Sequence, residues 1–199
     1  MTLHILHLAD AFDTGGSAKR TVALINVFGN RARHVIATNQ PVAPATARGI
    51  AKDVRVDFTT DCPPIGGSPS VARYQALARY MRRFDLVLSY DWGAIDAVMA
   101  RRLFPAGVPM LIHHEYALDA HEAERPRFER NIYRRIALAG AHALVLSSDA
   151  LAERATKHWK QPHDRVHIVP KGNEKAINAW FAALYGGTAG QSGVLAAKG

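Results

Sequence analysis

Four short polar clusters each follow an apolar run and hold residue types able to do chemistry: Asp13-Thr14-Gly15-Gly16-Ser17, Ser89-Tyr90-Asp91-Trp92-Gly93, His113-His114-Glu115 and Ser147-Ser148. Paired glycines permit a tight turn and close backbone approach, and a helix starting there points unpaired N–H groups at an anion. The spacing is not GxGxxG, so a dinucleotide fingerprint is not met and the turn has a purely structural reading as well. Asp91 and Trp92 join a carboxylate that binds hydroxyls to an indole that stacks on a sugar ring. The same two residues also fit a helix cap beside a partly buried aromatic. His113, His114 and Glu115 offer proton-transfer groups, but adjacent strand residues point to opposite faces. The two histidines therefore cannot share one pocket: one packs structurally and the other faces the cleft. Ser147-Ser148 supplies a hydroxyl that caps the next helix. No nucleophile elbow, phosphate-binding Walker loop or HExxH pair is present. These residues define a polar ligand cleft without fixing a reaction.

The elements that position them alternate. Short apolar runs at Leu3–Leu8, His34–Thr38, Val54–Phe58, Asp85–Tyr90, Met110–His114, Ala143–Ser147 and Val166–Val169 read as strands. Several are apolar throughout, as strands buried on both faces should be. Between them lie helical patterns. Thr21, Leu24, Ile25 and Phe28 fall at i, i+3, i+4 and i+7 before Gly29, Ser70 can cap a helix to Arg83, and Ile95, Val98, Met99 and Leu103 form a stripe before Pro105. Phe128, Ile132 and Ile136 mark another apolar stripe, and Ser148 can cap Leu151–Trp159. Residues 40–69 are irregular and proline-containing. The repeated βα order predicts an α/β chain with a Rossmann-like, doubly wound, mainly parallel sheet. In such a sheet the four clusters converge beyond the carboxyl ends of the strands.

A chain of 199 residues with 48% hydrophobic and 21% charged residues is long enough for one buried core. Its single cysteine, Cys62, excludes an internal disulfide and fits a reducing compartment. The chain enters Leu3-His4-Ile5-Leu6-His7-Leu8 without a basic leader or a long apolar run, which predicts a cytoplasmic protein. The net charge of +8 is uneven: Arg127, Arg130 and Arg134 fall at i, i+3 and i+7, one face of a helix. That face is either solvated surface or an attractor of polyanions such as an anionic membrane. Aromatic residues are not interleaved with the arginines, so no nucleic acid is expected.

The order Ile5-Leu6-His7-Leu8, Gly15-Gly16, Asp85 to Gly93, His113-His114-Glu115, Ala141 to Ser148 and Val166 to Asn173 resembles the N-terminal half of family 4 glycosyltransferases, over residues 3–173. That resemblance implies a GT-B half-domain, the acceptor side of an enzyme that moves a sugar from a nucleotide-sugar with retention of configuration. It implies no cofactor and no metal beyond the donor itself. By the same resemblance Gly15, Gly16 and Ser17 approach the donor diphosphate, His114 and Glu115 stand at the transferred sugar as catalytic groups, and Asp91, Trp92 and His113 line the substrate. A saccharide or lipid-linked acceptor and a peripheral place at the inner membrane face are the implied partners. The chain departs from the family pattern at Ser17-Ala18-Lys19, where a glutamate is common, at Tyr116-Ala117-Leu118, and at Lys171, where asparagine is usual. It shows no counterpart of the donor-binding domain. Residues from Glu174 resemble the closing helix of such enzymes, with Ile177, Trp180, Phe181 and Leu184 as an apolar stripe. The expected layout is a domain at 1–173, a docking helix at 174–186 and a loose tail at 187–199, inactive alone. The alternative is a non-catalytic binding or scaffold module for an anionic partner.

Overall fold

The computed structural model of the chain describes residues 2–118, 122, 125 and 127–170. The expected docking helix and tail lie outside the described residues.

All seven expected strands form, each within two residues of its expected ends: β1 Leu3–Ala9, β2 Ala32–Thr38, β3 Arg55–Thr59, β4 Leu86–Tyr90, β5 Met110–Glu115, β6 Ala143–Leu146 and β7 Val166–Ile168. They make one parallel sheet in the order β3-β2-β1-β4-β5-β6-β7. Chain order runs outward in both directions from β1, so β1 and β4 flank the point where the winding reverses. The central register sets Leu6 between Val35 and Val87, and Leu8 between Ala37 and Ser89. A parallel ladder of this kind needs a crossover between successive strands, and helices supply most of them.

Helix α1 (Gly16–Phe28) packs on one face of the sheet, and a single turn, α2 (Pro44–Ala47), lies beside it. The expected stripe of Thr21, Leu24, Ile25 and Phe28 is buried, and Gly29 ends the helix at φ 54. The opposite face carries α3 (Val71–Met81), α4 (Ile95–Leu103), α5 (Phe128–Leu138) and α6 (Asp149–Lys157). Ser70 stands at the N-cap of α3 without a side-chain bond, whereas Ser148 accepts the Leu151 N–H at 3.4 Å as a cap should. Alternate strand residues separate the two cores. Leu6, Leu8, Val87 and Leu111 pack under α3 and α4, while Ile5, Leu86, Leu88, Ile112 and Val145 lie on the α1 side.

Helix α5 reverses its expected orientation. Phe128, Ile132 and Ile136 are 76%, 43% and 49% exposed, while Arg134 is fully buried. Arg130 is mostly covered as well and pairs with Glu122. Arg130 and Arg134 therefore turn inward, while Arg127 at the helix start stays exposed, so the three arginines do not form one free cationic face. The reason is tertiary: the wall facing α5 is polar, with Glu115, Glu122 and the Asp96 carboxylate each taking a hydrogen bond from this helix. A buried carboxylate needs a partner far more than an isoleucine needs cover.

Candidate functional site

The winding reversal between β1 and β4 brings two of the expected clusters together. After β1, the Asp13 carboxylate accepts the Gly15 N–H at 2.7 Å, which closes the turn that opens α1. An added Cβ at Gly15 would stand 2.8 Å from that carboxylate oxygen, so a side chain there would displace the Asp13 carboxylate from the turn. At Gly16 an added Cβ would meet nothing within 4 Å, which leaves this side of the helix start open. Ser17, one residue into the helix, lies near the Asp91 side chain from the end of β4 and favours its carboxylate form.

Asp91 is fixed from three directions. Its N–H donates to the His114 carbonyl at 2.7 Å, its carboxylate accepts the Tyr116 N–H at 2.7 Å, and its backbone takes φ 53. Positive φ is costly for a side-chain-bearing residue, though aspartate tolerates it better than most. Burial pushes its carboxyl above the usual range, and Ser17 only partly opposes the rise. Two residues on, Gly93 lies so close to β1 that an added Cβ would come 2.3 Å from Asp10 Cβ. Asp10 in turn accepts from the Asn39 amide at 2.9 Å, and Asn39 accepts the Ile65 N–H at 3.1 Å. The ends of β1, β2 and β4 are thus tied into one rim.

The β5 cluster sits deeper than expected. His113 and His114 do point to opposite faces, but both are buried, as is Glu115, so neither histidine lines an open cleft. Strands on both sides and packed side chains on both faces enclose them. On one face Ser89 Oγ lies 2.9 Å from His113 Nδ1, and His113 Nε2 lies 3.3 Å from the Glu115 carboxylate. This serine–histidine–glutamate chain has no solvent access. Glu115 also accepts from Arg134 at 2.8 Å, and Arg134 donates to Glu122 at 2.5 Å. Burial raises the Glu115 carboxyl, but the His113 hydrogen bond and the Arg134 guanidinium outweigh it and hold it below the usual value. On the other face His114 Nδ1 lies 2.9 Å from the Tyr116 hydroxyl, and burial keeps His114 neutral at pH 7.

Trp92 turns away from the α1 turn. Its ring takes the Arg130 and Arg134 guanidiniums at 4.7 and 4.8 Å and the edge of Tyr133 at 5.6 Å. Ser148 caps α6, while Ser147 donates to the Tyr116 carbonyl at 2.6 Å and steadies the end of β5. The structure thus brings Gly15, Gly16, Ser17 and Asp91 together at the rim and sets His113, His114, Glu115 and Trp92 behind it.

Sequence reasoning missed Arg20 and Tyr116. Arg20 Nη2 donates to the Val169 carbonyl at 2.5 Å, and its guanidinium lies 4.1 Å over the Tyr116 ring. It ties α1 to the end of β7. The only local hint was that an arginine one turn after the glycine pair interrupts an otherwise apolar helix face. Among the described residues no group of three or more His, Cys, Asp or Glu side chains is arranged to hold a metal ion. The rim offers backbone N–H groups, a hydroxyl and a carboxyl with a raised pKa, a set suited to binding a phosphate and a sugar hydroxyl.

Comparison with known proteins agrees with this fold. The profile of Glycosyltransferase Family 4 matches residues 14–174. No curated protein sequence matches the chain. Among solved structures, Anabaena HepE in complex with UDP and glucose is 13% identical with a TM-score of 0.57, over 85% of this chain and 45% of that one. A sucrose-phosphate synthase chain from Thermosynechococcus elongatus is 15% identical with a TM-score of 0.54, over 93% of this chain and 98% of that one. The UDP-GlcNAc 2-epimerase of Methanocaldococcus jannaschii is 10% identical with a TM-score of 0.52, over 91% and 50%. At these identities the likeness establishes the fold, shared by transferases and an epimerase alike. The chain spans less than half the length of HepE.

Proposed function

The chain belongs to glycosyltransferase family 4, and from that membership we propose that it is the acceptor-side half of a retaining sugar transferase, inactive by itself. The observation that carries the reading is the close approach of Gly93, after β4, to Asp10, after β1, which joins the two strand ends at the winding reversal and sets Asp91 beside the glycine turn. In open α/β sheets this is where ligands bind. The N–H groups at Gly16 and Ser17 receive the donor diphosphate at the start of α1. Asp91, held rigid and with its pKa raised, binds a sugar hydroxyl beside it. His114 and Glu115 are interior, so in this reading they position the rim: the His114 carbonyl fixes Asp91, and Glu115 anchors the loop that follows β5 through Arg134 and Glu122.

Sugar transfer requires donor and acceptor in one near-attack geometry, which a half-domain does not provide. The length relation to HepE supports this. We read residues 174–186 of this chain as the closing helix that the family resemblance implies. The acceptor is a saccharide or a lipid-linked saccharide.

The test has two parts. The full chain, incubated with a panel of nucleotide-sugars and saccharide acceptors, is expected to yield no product above background, and robust turnover would overturn the half-domain reading. In chemical-shift mapping, UDP or pyrophosphate is expected to bind weakly and to perturb Gly15, Gly16 and Ser17. Gly16→Val, whose Cβ would meet no protein atom within 4 Å, should weaken that binding by about tenfold through blocked approach. Shifts centred elsewhere would leave the turn structural.

A further inference from the structure

The single turn of α2 leaves a pocket against α1. Thr14, Lys19, Val22, Ala45, Thr46 and Gly49 line a cavity of about 280 Å³. Polar clamps fix its walls at both ends. At one end the Thr46 hydroxyl donates to the Asp13 carbonyl, and the Ala43 N–H donates to the Phe12 carbonyl at 2.9 Å, which ties α2 to the loop after β1. At the other end the Asn26 side-chain amide, on α1, donates to the Gly49 carbonyl at 3.0 Å, and its oxygen accepts the Ala51 N–H at 2.9 Å. Gly49 approaches α1 so closely that an added Cβ would lie 3.2 Å from a Val22 methyl. Val22 packs in turn with Phe12, Ala18, Ile25 and Ile36, so the floor of the pocket continues into the core. Walls clamped in this way form a site before any ligand arrives, and binding costs little further ordering.

The lining sets the chemistry of the occupant. It holds no carboxylate side chain, so a cation finds no charged ligand there. The Val22 and Ala45 side chains and the Gly49 backbone are apolar or bare, and the Thr46 hydroxyl is already engaged with Asp13. A sugar would leave hydroxyls without partners in such a site, which is costly. Lys19 alone among the six lining residues is charged, and it is exposed. Size narrows the choice further. A cavity of about 150 Å³ already admits a benzene ring, whereas drug-sized ligands occupy about 300–1,000 Å³, so a nucleotide-sugar is too large. We propose that this pocket binds a small apolar carboxylate, an aryl or branched short-chain acid, with its hydrocarbon against Val22 and Gly49 and its carboxylate at Lys19. This inference goes beyond the sugar-transfer reading and is independent of it.

The experiment is chemical-shift mapping of the full chain with benzoate and with its neutral analogue benzyl alcohol, at fixed pH and ionic strength. Both are expected to perturb Val22, Ala45, Thr46 and Gly49. Benzoate should bind the more tightly, with a Kd on the order of 1–10 mM for a ligand of this size. Lys19→Gln should weaken benzoate by about threefold, the worth of an exposed ion pair, and leave benzyl alcohol unchanged. Ala45→Phe fills the pocket from an exposed position, so it should keep the parent melting temperature and abolish binding of both compounds. If that variant fails to fold, Lys19→Gln decides alone. Three results would each overturn the proposal. They are lining residues that do not shift at tens of millimolar benzoate, shifts confined to Gly15, Gly16 and Ser17 as for a simple anion at the helix start, or equal benzoate affinity in Lys19→Gln and the parent.

Discussion

Arg134 carries a full charge with no exposed surface, between the rings of Trp92 at 4.8 Å and Trp159 at 4.9 Å. It is tolerated because Glu115 and Glu122 both accept from it, and its removal would leave two carboxylates buried without their cation. Breaking a buried pair from one side costs far more than the pair contributes over an apolar substitute. Arg134→Ala is therefore expected to lower stability by about 3–5 kcal/mol, read as a shift of the urea midpoint at constant slope. A shift within the error of the parent would show that water replaces the guanidinium there. At the same scale Trp92, whose type suggests a sugar platform, is occupied by protein cations. A residue's type states what it can do, and its neighbours decide what it does.

At the scale of elements, the face of β4–β6 that bears Leu86, Leu88, Ile112 and Val145 is buried, and among the described residues α1 is the helix in that cluster, through Leu24 and Phe28. The stripe of Ile177, Trp180, Phe181 and Leu184 lies outside the described residues. We propose that its helix docks on the domain, since a helix of that length is marginal alone in water. Trp180→Ala should then cost roughly 3–5 kcal/mol if the indole is fully packed. Deletion of residues 174–199 should lower the melting temperature or cause aggregation. An unchanged melting curve after deletion would mean that the segment contributes nothing to the fold.

For the whole molecule, three buried histidines and Tyr90 link four strands on the α1 side. His7 Nδ1 lies 2.8 Å from the Tyr90 hydroxyl, His7 Nε2 lies 2.9 Å from His34 Nδ1, and the His114 ring stands 5.0 Å from that of Tyr90. Burial lowers all three, His34 to about 4, with mutual repulsion between His7 and both other rings adding to the shift of His7. These pKa values are depressed relative to the unfolded chain. The unfolded state therefore binds more protons between about pH 6.5 and 4, and stability is fully present above that window and is lost as pH falls through it. His34 alone accounts for about 3 kcal/mol of that loss. Urea midpoints measured from pH 7.5 to 4.5 should fall steeply below pH 6.5, and the His34→Phe variant should show a shallower slope. A flat profile would mean that the rings are hydrated in solution.

The strands and their parallel order were legible in the sequence because strands buried on both faces must be apolar throughout, and because a βα alternation admits few topologies. The glycine turn and the Asp91 position were legible for the same reason, since both follow directly from where a strand ends. The opposite facing of His113 and His114 came from the period of a strand. What periodicity could not decide was which side of α5 faces the sheet, because its apolar stripe and its arginine stripe are equally regular. That choice belongs to Glu115, Glu122 and Asp96, which other segments bring against the helix. The depth of the β5 cluster and the reach of Arg20 to Val169 were likewise settled by tertiary structure. Local sequence fixes an element's kind and phase, whereas burial and charge pairing depend on residues distant in the chain that only the assembled fold sets side by side.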